Sequence, residues 1–292
     1  MTEAERGSLL FIATNGWSGL ALPVRGHQMS KGDYLLGTRD DEVARLGLQH
    51  RVWRPQMLDG FRRARFGPGQ TILDVGAGPG FATADLADTV GPDGKVIAIE
   101  RPPNFLSVLR SRGLPNVEVR DADLTAHDLG EAIADGAWTR WVLAFLTEPA
   151  PIVERIARAL RPGGAALFHE YIDYEGWRLI PPIADHHRYR GLVVKSWRDS
   201  GGEPDAALEL PRHLAAAGLE LVSVRPMVEI IGADDPMWQW PASFVATNAG
   251  RLHELGYCSA EEAARFATML DRLDPGTRMM TPVVAEIIAI KR

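Results

Sequence analysis

Residues 72–81 read Ile-Leu-Asp-Val-Gly-Ala-Gly-Pro-Gly-Phe, with Asp74 two positions before Gly76 and glycines at 76, 78 and 80. Glycine lets the backbone turn through left-handed conformations and approach a ligand closely. A helix starting at Phe81 would aim its free N–H groups at the same place. A dinucleotide fingerprint, Gly-x-Gly-x-x-Gly, needs its third glycine where Phe81 stands. Here the third glycine comes one residue early. The neighbouring acid would repel a pyrophosphate, so the corner suits a nucleoside ligand that carries no phosphate at this turn. Glu100 ends the next apolar run, and an acid at that strand end accepts hydrogen bonds from ribose hydroxyls.

A second group of side chains has the types needed for proton transfer. His169-Glu170-Tyr171 closes an apolar run, and Glu170 is expected to point toward a bound acceptor. Over 184–200, His186, Tyr189, Arg190, Val193 and Trp197 fall on one helical stripe, opposite a largely charged stripe of Arg188, Leu192, Lys195 and Asp199. His186, Tyr189 and Glu170 are therefore the candidate catalytic groups, one of them acting as a base. The competing reading is a packed helix with satisfied polar tips. Trp177, Trp238, Trp240 and Phe244 enrich the same part of the chain, and suit either a flat apolar ligand or a plain hydrophobic core.

The elements that must position these groups alternate. Strands are expected at Thr71–Val75, Lys95–Ile99, Val117–Arg120, Ala137–Val142, Ala165–His169, Leu219–Val224 and Val283–Ile290. Helices are expected at Phe81–Val90, Asn104–Arg112, Pro151–Leu160 and Leu208–Ala217. This order implies an α/β, Rossmann-like, doubly wound and mostly parallel seven-stranded sheet. Residues 1–30 read as an N-terminal arm and 31–66 as a helical cap segment, with a pattern over Asp40–Phe66 interrupted by Pro55. Residues 67–292 read as the ligand-binding domain. Its insertions at 171–207 and 232–280, helical at Ala184–Ser200 and Ser259–Leu273, leave the sheet at the edge where such folds bind ligands and so form a helical cap.

The chain has 292 residues, 46% of them hydrophobic, and a net charge of −6. That balance argues against a nucleic-acid partner held by a general basic field. The arginines at 51, 54, 62, 63 and 65 read as a solvated helix face. A single cysteine, Cys258, excludes a disulfide, a cysteine metal site and a thiol-built arsenic site, and no metal is expected. No apolar run approaches a membrane span, and the first residues do not resemble a signal peptide, so a cytoplasmic protein is expected. A homodimer is left open.

The corner resembles the first motif of class I S-adenosylmethionine-dependent methyltransferases, specifically the ubiquinone/menaquinone-biosynthesis-type small-molecule branch. The resemblance spans about residues 33–225, with the last strand completing it. It implies S-adenosylmethionine as cofactor, with Asp74, Gly76, Gly78, Gly80 and Glu100 around its ribose and tail. It further implies that Asp123, with Asp121 as a rival, accepts from the adenine amino group, and that the Leu124 amide reaches the ring. Ala122 replaces the family's usual glycine. Tyr34 and Gln49 resemble the segment folded over the methionine tail, with helix packing as the alternative. Arg140, at the end of the fourth strand, completes the cofactor candidates. No Asp/Asn-Pro-Pro-aromatic tetrapeptide follows that strand, which points to a small, aromatic or apolar metabolite acceptor methylated on O, N or C. The alternatives are a methyltransferase-fold protein that binds S-adenosylmethionine without transferring methyl, and a nucleotide-dependent oxidoreductase that the glycine spacing disfavours.

Overall fold

The computed structural model describes residues 40–292, so Tyr34 and the expected arm at 1–30 lie outside the described residues. Helix α1 (Asp40–Arg63) leads into β1 (Thr71–Val75), α2 (Phe81–Val90), β2 (Lys95–Glu100), α3 (Pro103–Ser111), β3 (Val117–Asp121) and β4 (Ala134–Arg140). Then come α4 (Ala150–Ala159), β5 (Leu160–Asp173), β6 (Arg178–Ile180), α5 (Ala184–Asp199), α6 (Leu210–Ala216) and β7 (Leu219–Met227). The chain finishes with β8 (Ile230–Ile231), α7 (Gln239–Glu254), α8 (Ala260–Ala267), β9 (Arg278–Met280) and β10 (Val283–Lys291).

The main sheet has seven strands in the order β3-β2-β1-β4-β5-β10-β7. The β3-β2-β1-β4-β5 pairs are all parallel, and β10 runs antiparallel to both β5 and β7. The connectivity explains the exception. After β7 the chain builds β8, α7, α8 and β9 at the carboxyl edge of the sheet, so β10 starts there and must run back. Central strands covered on both faces read as continuous apolar runs. Ile72, Leu73 and Val75 of β1 are fully buried, whereas β3 at the edge is only half-buried.

Two expected boundaries change. The break at Pro55 does not occur, and α1 continues through it. The turn at 161–164 is absorbed into β5, where Gly163 takes a φ of +83° and the register against β4 slips. Extra pairing with β10 carries β5 on to Asp173, which brings Glu170 and Tyr171 to the cap edge. The cap itself is larger than expected. Beyond α5 and α8 it contains α7, packed on α1, α5 and α8, and a small antiparallel sheet in the order β6-β9-β8. Among the described residues no helix is long and apolar enough to cross a membrane, and no cluster of His, Cys, Asp and Glu could hold a metal ion.

A buried charge cluster ties α1 to the sheet. Glu286 of β10 is fully buried and faces His169 of β5 at 3.3 Å. It also accepts hydrogen bonds from Arg63 (2.8 Å) and from both Nε (3.1 Å) and Nη2 (3.0 Å) of Arg225. Gly60 of α1 sits directly above, where a Cβ would lie 2.8 Å from the carboxylate. Three of the arginines read as a solvated face therefore have defined partners: Arg54 with Asp85, Arg62 with Asp59, and Arg63 with Glu286.

Burial lowers His169 to about 4, although Glu286 acts to raise it. Burial pushes the Glu286 carboxyl up, but bonds from His169 and Arg225 win and hold it well below the usual range. An unfolded imidazole takes a proton below about 6.5 and the folded one does not until about 4. The His169 contribution to stability is thus present above pH 6.5 and lost as pH falls toward 4. Glu286 adds a loss of the same sign at lower pH. Denaturant titrations should show about 2 kcal/mol less stability from His169 at pH 5 than at pH 7. His169→Gln should lack that part of the slope. Identical slopes for the two proteins would contradict this assignment.

Candidate active site

The glycine corner adopts the expected geometry. Gly76, Gly78 and Gly80 have φ of +77°, +56° and +78°, the left-handed region. Their surroundings differ. A Cβ on Gly76 would lie 2.5 Å from Val142, and one on Gly80 would lie 2.3 Å from Leu109. A Cβ on Gly78 would meet nothing within 4 Å. Two of the glycines therefore close the turn against its neighbours, and the middle one borders open space. Asp74 is 1% exposed and accepts a hydrogen bond from Thr83 in the first turn of α2 at 2.6 Å. It lies beneath the turn, where burial raises its pKa to about 7.

Glu100 stands at the end of β2 as expected. Its oxygens accept from the Gly78 N–H at 2.6 Å and the Arg101 N–H at 2.9 Å. Burial raises its pKa against the pull of those two amides. Asp123 pairs with Arg101 at 2.8 Å and accepts from Thr125, which keeps it ionised. Its rival Asp121 lies 4.0 Å from Arg110 and is exposed. The Leu124 carbonyl accepts from Arg155 at 2.7 Å.

Arg140 is the unusual charge. It stands at the end of β4, its guanidinium 5.1 Å from the Trp141 ring and 5.7 Å from the Trp138 ring. Its one polar contact is the Met57 sulfur at 3.9 Å, and no carboxylate among the described residues is within ion-pair distance. Burial lowers its pKa to about 10, resisted by the fields of Asp74, Asp85 and Tyr171. Those fields act without a direct ion pair to the half-buried guanidinium, and an incoming anion would supply one.

Near this corner lies a small aromatic cleft, partly open to solvent. Its wall is aromatic, with Trp141, Tyr171, Tyr174, Trp197, Trp240 and Phe244 among its members, and Arg45, Gln49 and those two tyrosines as its polar groups. Trp141, Tyr171 and Trp240 lie in nearly parallel planes, at 16°, 19° and 7° to one another. Trp141 precedes Val142, the residue that presses on Gly76, so cavity and corner share a wall. Gln49 joins the wall from α1 and accepts from the Trp240 indole at 3.1 Å and from Arg45 at 3.0 Å. The first half of α1 thus buries a polar stripe of Glu42, Arg45, Gln49 and His50, while Val43, Leu46 and Val52 are only half-buried.

The three residues expected to share proton transfer do not converge on this cavity. Tyr189 is fully buried, donates to the Asn248 Oδ1 at 3.2 Å and packs against Phe266. His186 lies edge-on to Trp177, its ring centroid 4.8 Å away, and burial lowers its pKa to about 4. Glu170 is also fully buried. Its Oε1 accepts the N–H groups of Val142 (2.9 Å) and Leu143 (3.0 Å), pinning the turn after β4. Side chains of a strand alternate between faces, so with Glu170 committed to that turn it is Tyr171 that reaches the cavity. Of the α5 stripe only Trp197 lines the cavity. Tyr174, Trp141 and Arg45 escaped the sequence reading, and Tyr171 was named in its segment without a role. The period-two alternation after His169 was the available signal for Tyr171.

A family model described as a methyltransferase domain matches residues 73–168. The ubiquinone/menaquinone biosynthesis C-methyltransferase UbiE of Salmonella arizonae is 33% identical over 175 residues, which cover 51% of this chain and 68% of that protein. An uncharacterised 37.1 kDa transposon protein of Streptomyces fradiae is 37% identical over 122 residues, 41% of this chain. The chain matches only 34% of that relative's length. A crystal structure of a candidate methyltransferase from Bacillus halodurans superposes with a TM-score of 0.56 at 16% identity, covering 80% of this chain and 97% of that one. This last likeness concerns the fold alone.

Proposed function

The chain belongs to the class I S-adenosylmethionine-dependent methyltransferases of the ubiquinone/menaquinone-biosynthesis type, and from that premise we propose that it methylates a flat, aromatic small molecule held in the cavity beside the glycine corner. The aromatic wall of that cavity, whose Trp141 directly precedes the Val142 packed against Gly76, is the observation that carries the reading.

The corner fits the cofactor. Open space faces Gly78, an ionisable acid stands at the β2 end, and a guanidinium without a direct ion pair lies across β4. Glu100 would accept from the ribose hydroxyls, Asp123 and the Leu124 amide would meet the adenine edge, and Arg140 would take the amino-acid carboxylate. Asp74 would support the turn through Thr83. Tyr34 and Gln49 would cover the tail. Bound S-adenosylmethionine supplies a methyl group already activated by its sulfonium. What remains for the protein is alignment and the exclusion of water. The parallel rings of Trp141, Tyr171 and Trp240 suit a planar guest, which they would orient by stacking. The elements α5, α7 and α8 would act as the lid over both ligands.

The same wall narrows the attacking atom. Among the described residues its one charged group is the guanidinium of Arg45, and no carboxylate lines it. A cationic amine would find no counter-ion there, so oxygen or electron-rich aromatic carbon is the proposed nucleophile. The test is conversion of S-adenosylmethionine to S-adenosylhomocysteine with a panel of phenols, quinols and aromatic amines. Turnover confined to phenols and quinols is the expected result. Tight cofactor binding without turnover on any member would overturn the reading in favour of a non-catalytic cofactor-binding protein.

Glu100→Ala should weaken S-adenosylmethionine and S-adenosylhomocysteine alike. Two lost hydrogen bonds to a carboxylate correspond to about ten- to a hundredfold in Kd. Wild-type affinity by calorimetry would leave Glu100 with no task beyond holding the Gly78 and Arg101 amides.

A further inference from the structure

Resting on the aromatic-acceptor reading above, we propose that the hydroxyls of Tyr171 and Tyr174 form a paired anchor for an ionised oxygen on the acceptor, a phenolate or an enolate. Both side chains line the cavity, at 7% and 2% exposure. Their rings meet edge to face with centroids 4.9 Å apart. Neither hydroxyl has a hydrogen-bond partner among the described residues, yet neither oxygen is sealed in the wall. The indole nitrogens of Trp141, Trp177 and Trp197 are sealed there without partners. A buried phenol that forgoes a hydrogen bond is uncommon, because desolvating the group without compensation is costly. A ligand oxygen entering the cavity would give these hydroxyls the acceptor that the described residues do not.

Charge decides what that atom is. Arg45 and Arg140 act on Tyr171 as cations, and Arg45 and Arg190 act on Tyr174. Against them stands Glu170, whose carboxyl burial has pushed up to about 7. Arg45 is also balanced by Glu42 at 2.7 Å, whereas Arg140 has no such partner. Among the charged side chains that act on the pair, the cations Arg45, Arg140 and Arg190 outnumber the one carboxyl, Glu170. Burial raises both Tyr171 and Tyr174 well above the usual phenol range, so both stay protonated and serve as donors, not as bases. Two neutral O–H donors among these cations favour an oxyanion over a neutral hydroxyl or an ammonium. An acceptor held in its ionised form needs no separate base. The lone pair of the anchored oxygen forms the new bond to methyl, or the π pair of the conjugated carbon does so, in which case the proton on that carbon then leaves to water. The C–S bond breaks, and its electron pair leaves on the neutral thioether.

The probe is 4-nitrophenol, whose phenolate has its own visible absorption band, with nitrobenzene as a neutral control of similar shape. Both are titrated into the whole protein with S-adenosylhomocysteine present, and tryptophan fluorescence reports occupancy of the cavity. The wild-type protein should bind the phenolate at least about tenfold more tightly than the phenol, lowering the apparent pKa of the bound probe. Tyr171→Phe and Tyr174→Phe, which keep the rings, should each cut that preference by about tenfold, since each removes one hydrogen bond to a charged oxygen. Nitrobenzene affinity should stay unchanged in both. The wild-type preference tests the inference even if a variant fails to fold. If 4-nitrophenol binds without phenolate preference, or keeps it in both variants, the anchor is refuted while the aromatic cavity stands. If neither probe binds, the aromatic-acceptor reading fails and the anchor with it.

Discussion

Gly78→Arg abolishes S-adenosylmethionine binding, by about a thousandfold or more, and leaves the chain folded. The expectation rests on a contrast within one turn. A Cβ at 78 meets no described protein atom within 4 Å, whereas a Cβ at 76 or 80 strikes Val142 or Leu109. The arginine therefore occupies the ligand's place and not the protein's. Its structural penalty is the left-handed backbone at φ +56°, about 1–2 kcal/mol for a residue with a Cβ. A chain of this size should then melt only a few degrees lower. Gly80→Arg is the matching control and should be strongly destabilised. Calorimetry and thermal melts check both. A folded Gly78→Arg protein with wild-type cofactor affinity would remove the corner from the binding site.

Arg140→Met also separates binding from stability. The guanidinium is half-buried with no carboxylate within ion-pair distance among the described residues, and replacing such a charge by an apolar chain of similar length should cost the fold little. The cation–π contacts with Trp138 and Trp141 are lost, about 0.5–2 kcal/mol. The melting temperature should fall by a few degrees at most. Cofactor affinity should fall by roughly 30-fold or more, the usual effect of truncating one partner of a desolvated charge pair. If Arg140→Met destabilised the fold and bound the cofactor normally, Arg140 would be a packing residue.

The sheet was legible because its signals are local. Short apolar runs separated by ten-residue amphipathic helices specify β1, β2 and β3 to within a residue, while β4 starts and ends a few residues earlier than expected and β5 extends at both ends; Phe81–Val90 is a helix with the expected ends. The corner was legible because left-handed turns demand glycine at fixed spacing. The acceptor side was not, for reasons that lie in tertiary structure. Pro55 sits inside α1 without breaking it, because packing on the sheet and α7 holds the helix on both sides. The first half of α1 buries Arg45, Gln49 and His50, which no apolar periodicity could flag, since they are buried by the cap and satisfied by Glu42, Trp240 and Asp85. The stripe of His186 and Tyr189 was a sound helical face, but that face packs on Trp177, Asn248 and Phe266 and not on a ligand. Glu170 and Tyr171 were singled out together. Which of them reaches the cavity depends on strand alternation at a position where β5 runs longer than its apolar stretch suggested.

The central claim is that the activated methyl group and the aromatic cavity meet at one place. A crystal structure of the full chain with S-adenosylhomocysteine tests it most directly. The adenosine should lie against Glu100 and Asp123, the amino-acid carboxylate against Arg140, and the sulfur should face the cavity between Trp141 and Tyr171. A sulfur facing away from the aromatic wall, or separated from it by the Val142 turn, would contradict the account.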